Sequence, residues 1–384
     1  MTTPAPALTH WIEPLHHAAW PFLTHRHLTE LRRLETALTT TLATTTATTP
    51  AERLLAVRTA LAPYTPSPHG DPANAATTAA LAGFICGWHD LDLRDTIGPG
   101  HGRMILRHAT PALRTIWAAR INSGALVGIA ATERHGGSRL TEITTRLTPH
   151  ADGWRLTGEK CWVSRLKESA AFVVFAKDPN GRIQAAVVPA ESDGVTRFPE
   201  TPSGLAGWAW GTLQLQDVKV PEENILTTPD GDGERIFRDH FTAFRPLVSA
   251  IALGTAAGIH HHVLTTLQAR TQTRLLPRLR DTTLTTLGHT HTSLHAALLA
   301  TITATRLTAQ HSTHADLWAR AIKVHGVETA HRSVQELTPL IGASGFRADS
   351  PTGKARADLG GLLYADGIHD ALLRSVGRTL TDPN

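Results

Sequence analysis

Between residues 127 and 228 the chain changes its period. "DGWRLTGEKCWVS", "AAFVVFAKDPNGRIQAAVVPA" and "GTLQLQDVKVPEENIL" alternate apolar with polar residues and turn at Asp-Gly or Asn-Gly. A period of two puts alternate side chains on opposite faces of a strand, so this zone is expected to be a β domain of about 100 residues. "DPNGR" reads as a hairpin turn and Pro221 as the end of a strand. On either side the spacing is helical. "HLTELRRLETALTTTLATT" places Leu28, Leu31, Leu34 and Leu38 on one face, and Thr48 or Thr49 before Pro50 marks a helix start. Beyond residue 229, three long apolar-periodic stretches are followed by a final helix surrounding an Asp-Gly pair, Asp366 and Gly367. Four helices on short connections predict an antiparallel bundle. The expected fold class is α+β: an N-terminal helical domain (1–126), a middle β-barrel-like domain (127–228) and a C-terminal four-helix bundle (229–384). The junction of such layers suits a planar cofactor.

Composition excludes several classes. The net charge of +4 is dispersed, with no basic run, which argues against a nucleic-acid partner. Cys86 and Cys161 stand far apart and form neither a metal motif nor a disulfide framework; a reducing cytoplasm fits. The opening residues lack a basic stretch followed by an apolar run, and no window nears about 18 uncharged apolar residues, so neither a signal peptide nor a membrane span is expected. Of the 23 histidines, His260, His261 and His262 are consecutive on a helix and point three ways. His291 and His295 share a face, but no carboxylate or cysteine completes a set, and no metal is expected. A phosphate-cradling loop and a nucleophile-elbow serine are also missing.

Two motifs carry more information. "GIAATERHGGS" holds Thr132, Glu133, Gly136, Gly137 and Ser138 after a run of small residues, and "DGWRLTGEKCWVS" holds Asp152, Gly153, Trp154, Gly158, Lys160, Trp162 and Ser164. Together, in this order, they resemble the flavin-binding signatures of the acyl-CoA dehydrogenase family, departing from it at Arg139. The resemblance implies FAD. Trp162 would wall the flavin ring, Thr132 would meet its N1–C2 edge, Ser164 would lie near N5, and Gly137 and Ser138 would take the pyrophosphate. A donor at the edge that gains charge on reduction favours the reduced ring.

The similarity extends to the C-terminal zone. "FRPLVSAIALGTAAG" resembles the family's helix with Arg-Pro near its start, here Arg245 and Pro246. Arg270 falls where the family reaches the FAD of a neighbouring subunit, and Gly342 in "GASGF" keeps a Gly-rich turn. The family's Phe-Gly is Thr273-Arg274 here, its Gln is Asp281, and Ala343 replaces a Gly. Spacing from Pro351 then sets Asp366 in the place of the family's catalytic Glu, beside Gly367. The alternative base position holds Phe244, which takes no proton. Aspartate is shorter by one methylene, about 1.3–1.5 Å of reach. The plainer reading makes Asp366 the N-cap of the helix "GIHDALLRSVGRTL".

The resemblance implies FAD-dependent α,β-dehydrogenation of an acyl thioester, carried on coenzyme A or acyl carrier protein. Asp366 would be the α-proton base and flavin N5 the hydride acceptor, with Arg245, Phe244 and Gly367 at the substrate. It further implies a homodimer or homotetramer and an electron-transfer flavoprotein or oxygen as acceptor, while the cysteine usage fits the cytoplasm and the drifted motifs suggest a specialised biosynthetic pathway. Two rival readings keep the fold: a flavin monooxygenase, or a degenerate homologue serving as a partner subunit.

Overall fold

The structure is a computed structural model describing residues 7–18, 23–64, 71–136, 139–228 and 233–381. Helices α1 (Leu15–Ala18), α2 (His25–Thr44), α3 (Pro50–Leu61), α4 (Pro72–His89), α5 (Arg103–His108) and α6 (Pro111–Asn122) come first. Their starts follow from local chemistry. Thr49 caps α3, accepting from the Glu52 amide while Glu52 reaches back to the Thr49 amide, with Pro50 in the first turn. Asp71 before Pro72 and Thr110 before Pro111 repeat the device. Leu28, Leu31, Leu34 and Leu38 are all buried along α2.

Eight strands follow: β1 (Leu126–Ala130), β2 (Arg146–His150), β3 (Gly153–Val163), β4 (Ser169–Lys177), β5 (Ile183–Pro189), β6 (Val195–Pro199), β7 (Gly211–Val220) and β8 (Ile225–Leu226). They pair in the order β6-β7-β3-β2-β4-β5-β8, with β1 parallel to β4. The Asp178–Arg182 turn closes the β4–β5 hairpin, and Pro221 follows β7 directly. Strand β4 is buried on both faces. Ala171, Val173 and Phe175 join a core with Trp117 of α6, while Phe172 and Val174 join Leu156 and Val218 on the other side. That double burial explains why its sequence is nearly continuous in apolar residues.

A buried ion pair fastens the start of this sheet. Glu133, just past β1, accepts from the amides and hydroxyls of Thr144 and Thr145 and from Lys160 Nζ of β3 at 2.7 Å. Burial works to raise the Glu133 carboxyl, but Lys160 and the Thr145 hydroxyl outweigh it and bring it down to about 2. Burial lowers the Lys160 ammonium to about 8.

The C-terminal part comprises α7 (Gly233–Gln272), α8 (Asp281–Ala309), α9 (Ala315–Leu337), α10 (Pro351–Gly361) and α11 (His369–Thr381). Two expectations change here. The Arg245-Pro246 pair does not open a helix but lies inside α7, which starts at Gly233. Buried Phe241, Phe244, Val248 and Ile251 continue the apolar face across the proline, so packing outweighs the hydrogen bond it removes. The final helix is not continuous around the Asp-Gly pair, because a turn separates α10 from α11 there. Helix α7 is also apolar and long enough, by composition, to cross a membrane, contrary to the window estimate above; 72% of that window is buried inside the protein.

Helix α4 crosses α7 at very close range. A side-chain carbon on Gly254 would lie 2.0 Å from the Phe84 carbonyl oxygen, and one on Gly87 would lie 2.1 Å from that of Ile251. Gly254→Ala should therefore push the helices apart and destabilise the protein by about 1–3 kcal/mol; an unchanged denaturation midpoint would contradict this packing. Glu133→Gln should lower stability at pH 7 by about 3–5 kcal/mol, because Lys160 is left buried and unpaired, and adding Lys160→Met should recover part of it. The folded-state acidity of Glu133 lies below its ordinary value, so its contribution is complete above about pH 4.5 and is lost as pH falls toward 2. Denaturant titrations of wild type and Glu133→Gln should accordingly converge on acidification.

Candidate functional site

Lys323 of α9 sets the turn between α10 and α11. Its side chain is fully buried and donates to the carbonyls of Leu362 (2.8 Å) and Gly367 (2.7 Å). Burial drops the Lys323 ammonium to about 7, against the pull of Asp366. Asp366 has φ of +58° and Gly367 of +116°. Left-handed backbone admits Asp at modest strain, and the second value suits glycine alone. This bend turns the Asp366 side chain inward until it is only 9% exposed, where Oδ2 accepts from Arg94 Nη1 at 2.9 Å. The N-cap reading fails on geometry. Helix α11 starts at His369, and Asp366 lies outside it in a left-handed conformation rather than the extended one of a cap.

Arg94 comes from a short 3₁₀ segment, Leu91–Thr96. Its guanidinium lies 3.6 Å above the Trp208 ring and 5.5 Å from that of Phe244. It also pairs with Asp95 at 3.2 Å, and Asp95 accepts from Arg165 Nε at 2.7 Å. Arg165 donates to the carbonyls of Gly207 and Asp92, and lies 3.8 Å from Glu168. Charges thus alternate along Glu168, Arg165, Asp95, Arg94 and Asp366, all buried in their side chains. Burial would raise the Asp95 carboxyl, but Arg94 and Arg165 together hold it well below the carboxylate range. The sequence reading missed Arg94, Asp95 and Arg165. The one signal was an adjacent Arg-Asp pair in "LDLRDT", a pattern equally common on solvated surfaces.

Phe244 is buried beside Arg94. Arg245 sets one guanidinium nitrogen 3.8 Å from Asp316, and Asp366 lies near enough to act on the same group. Burial lowers the Arg245 guanidinium to about 10.

On the sheet, Trp162 ends β3 with φ of +54°, at an irregularity in its pairing with β7. The indole is 53% exposed and stands edge-on to Trp210 at 6.5 Å. The Cys161 amide donates to the Thr132 carbonyl at 2.9 Å, which holds Thr132 alongside this strand end. Ser164 follows, buried. Gly137 and Ser138 lie outside the described residues. Arg270, in the last turn of α7, donates to the Ile341 carbonyl (2.9 Å) and Ser344 hydroxyl (3.4 Å). Gly342 between them takes φ 70° and ψ −148°, a conformation reserved for glycine.

Asp358, in the helix that leads into the bend, has a joining role. It accepts from the Leu205 amide at 2.7 Å and from Lys354. Lys354 Nζ stands among Asp358 (2.6 Å), Asp90 (2.7 Å) and Asp92 (3.1 Å), so the cation among these three carboxylates is the protein's own ammonium. His260, His291 and His295 pack with Trp11 in an aromatic cluster, and His260 Nε2 donates to the Leu287 carbonyl at 3.0 Å.

Residues 128–218 match the family model described as acyl-CoA dehydrogenase, middle domain, and residues 231–381 that described as acyl-CoA dehydrogenase, C-terminal domain. A probable acyl-CoA dehydrogenase of Mycobacterium tuberculosis is 30% identical over 161 residues, 40% of this chain and 41% of that protein. The human mitochondrial short-chain specific acyl-CoA dehydrogenase is 30% identical over 158 residues, 40% of this chain and 38% of its own. The chain therefore spans well under half the length of these curated relatives. Among solved structures, a glutaryl-CoA dehydrogenase from Mycobacterium smegmatis in complex with FADH2 superposes with a TM-score of 0.77 at 18% identity, covering 96% of this chain and 98% of that one. An acyl-CoA dehydrogenase from Geobacillus kaustophilus gives 0.78 at 16% identity, covering 94% and 99%. With its sheet and its bundle each matched by a family model, and with this fold shared along nearly its whole length, the chain belongs to the acyl-CoA dehydrogenase family.

Proposed function

We propose that the protein is an FAD-dependent dehydrogenase that introduces an α,β double bond into an acyl thioester, with Asp366 as the base. The observation that carries this reading is the buried Asp366 carboxylate, turned inward by a left-handed bend that Lys323 clamps from behind. A surface helix cap needs no such arrangement. The residues present fit a flavin. Trp162 offers a half-exposed indole face, Thr132 is fastened beside it, and Arg270 and Gly342 shape a second turn suited to the cofactor's far end. FAD supplies hydride acceptance at its N5.

The chain's own groups do the rest. Trp162 bounds the ring, and Ser164 lies two residues on, just past the end of β3. Asp366 takes the α-proton on a carboxylate oxygen. When it does so, Arg94 loses one counter-charge but keeps Asp95 at 3.2 Å, so proton transfer does not strand a buried cation. Arg94, 2.9 Å from the Asp366 carboxylate and itself packed on Trp208 and Phe244, favours a compact acyl group over a long aliphatic chain. Coenzyme A or acyl carrier protein as the thioester carrier, an electron-transfer flavoprotein or oxygen as acceptor, a cytoplasmic homodimer or homotetramer, and a place in a specialised biosynthetic pathway complete the proposal.

Anaerobic addition of short acyl-CoAs and acyl carrier proteins should bleach the oxidised flavin band near about 450 nm. Asp366→Asn should lower that rate by about 100-fold or more while the protein stays yellow. Wild-type rates in the variant would remove Asp366 as the base. Oxygen uptake that needs externally reduced flavin and no bleaching would favour the oxygenase reading, and failure to bind added FAD the partner-subunit reading.

A further inference from the structure

Helix α7 presents His240, Phe241, Phe244 and Arg245 at helical spacing toward the Arg94–Asp366 pair. His101, from the 3₁₀ segment Gly100–Gly102, meets this face. Its Nδ1 lies 2.9 Å from His240 Nε2, and each histidine is only 3% exposed. Both rings pack on Phe244, at 4.8 and 5.2 Å between centroids.

The hydrogen-bond inventory is uneven. One bond between two neutral imidazoles uses one N–H and one lone pair. In either tautomer, one N–H and one lone pair remain, divided between His101 Nε2 and His240 Nδ1. Both atoms are buried and lack a partner among the described residues, and so does Arg245 Nε on the same helix. Buried polar groups left this way are uncommon and mark places where something else bonds.

Charge narrows the chemistry. Burial holds His101 down to about 4 and His240 well below its ordinary value, so both rings are neutral near pH 7. The charged groups facing them are Arg94, Asp95, Asp366 and Arg165 around His101, and Arg103, Arg245 and Arg94 around His240. Arg94 is matched by Asp95 and Asp366, Arg165 by Asp95, and Arg245 by Asp316. The one N–H and one lone pair left on the two neutral rings are matched by a neutral group that both donates and accepts, not by a carboxylate, which only accepts.

We propose that His101 and His240, with Arg245 Nε, form a polar subsite for the acyl group, taking a hydroxyl or primary carboxamide at the end remote from the thioester. This rests on the reading of Asp366 as the base of a thioester site, and the test separates the two.

FAD-loaded wild type, His101→Phe and His240→Phe are compared on short acyl-CoA pairs matched in length, one unsubstituted and one bearing a terminal hydroxyl or carboxamide. Calorimetry reads binding, and anaerobic bleaching reads turnover. Wild type should prefer the polar member by about 10- to 100-fold in both, and each variant should bring the ratio close to unity. Wild type showing no preference, or variants keeping it, overturns the subsite. A binding preference without any bleaching leaves the subsite standing and removes the base. Should the phenylalanine variants not fold, the wild-type ratio alone decides, and His101→Asn, which keeps a donor and an acceptor, should retain part of it.

Discussion

The Arg94–Asp366 ion pair is the contact on which the site depends. It joins a 3₁₀ segment of the N-terminal helices to a turn 272 positions later in the bundle. A buried pair of this kind contributes little net stability by itself, since desolvation offsets most of the attraction, but removing one partner strands the other at about 3–5 kcal/mol. Here neither partner stands alone. Arg94 is shared with Asp95, Asp95 with Arg165, and Arg165 leaves the strand end that carries Trp162 and Ser164. The segment that follows Trp162 and the Asp366 carboxylate are therefore joined by one ladder of charges. A displacement of either end must be accommodated by the other.

The surrounding architecture holds that ladder in register. Helix α7 runs through the core against α4, with glycines on both helices letting the backbones touch. Lys354 and Asp358 link α10 to Asp90 and Asp92 of the N-terminal part and to the Leu205 amide of the β domain. All three parts of the chain thus meet around Lys354 and Asp358, in the helix that leads into the bend holding Asp366. The ammonium of Lys354, raised by its three carboxylates against the effect of burial, acts there as a fixed countercharge.

Local features were legible in the sequence. Alternation marked the strands, Thr49 and Pro50 marked α3, "DPNGR" marked the β4–β5 hairpin, and spacing brought attention to Asp366. What escaped was everything that depends on distant partners. Arg94 reads as a surface arginine until Asp366 and Trp208 are beside it. His101 and His240 are 139 residues apart, and no pattern pairs them. Pro246 was set near a helix start by the family resemblance, and only the burial of residues on both sides shows why the helix runs through it. Trp162 was legible as an aromatic in a strand, but its exposure comes from a positive φ that composition does not encode.

The aspartate at position 366 follows from the same geometry. Asp tolerates a left-handed backbone better than most side chains, because its short carboxylate reaches local and cross-chain donors without crowding its own peptide. A glutamate on this bend would reach about 1.3–1.5 Å further, into space that Arg94 fills while stacked on Trp208. The shorter acid and the intruding arginine are therefore one adaptation: Arg94 narrows the room beyond the carboxylate, and Asp366 is short enough to share it. Reach and backbone together therefore fit an aspartate, rather than a glutamate, at this turn.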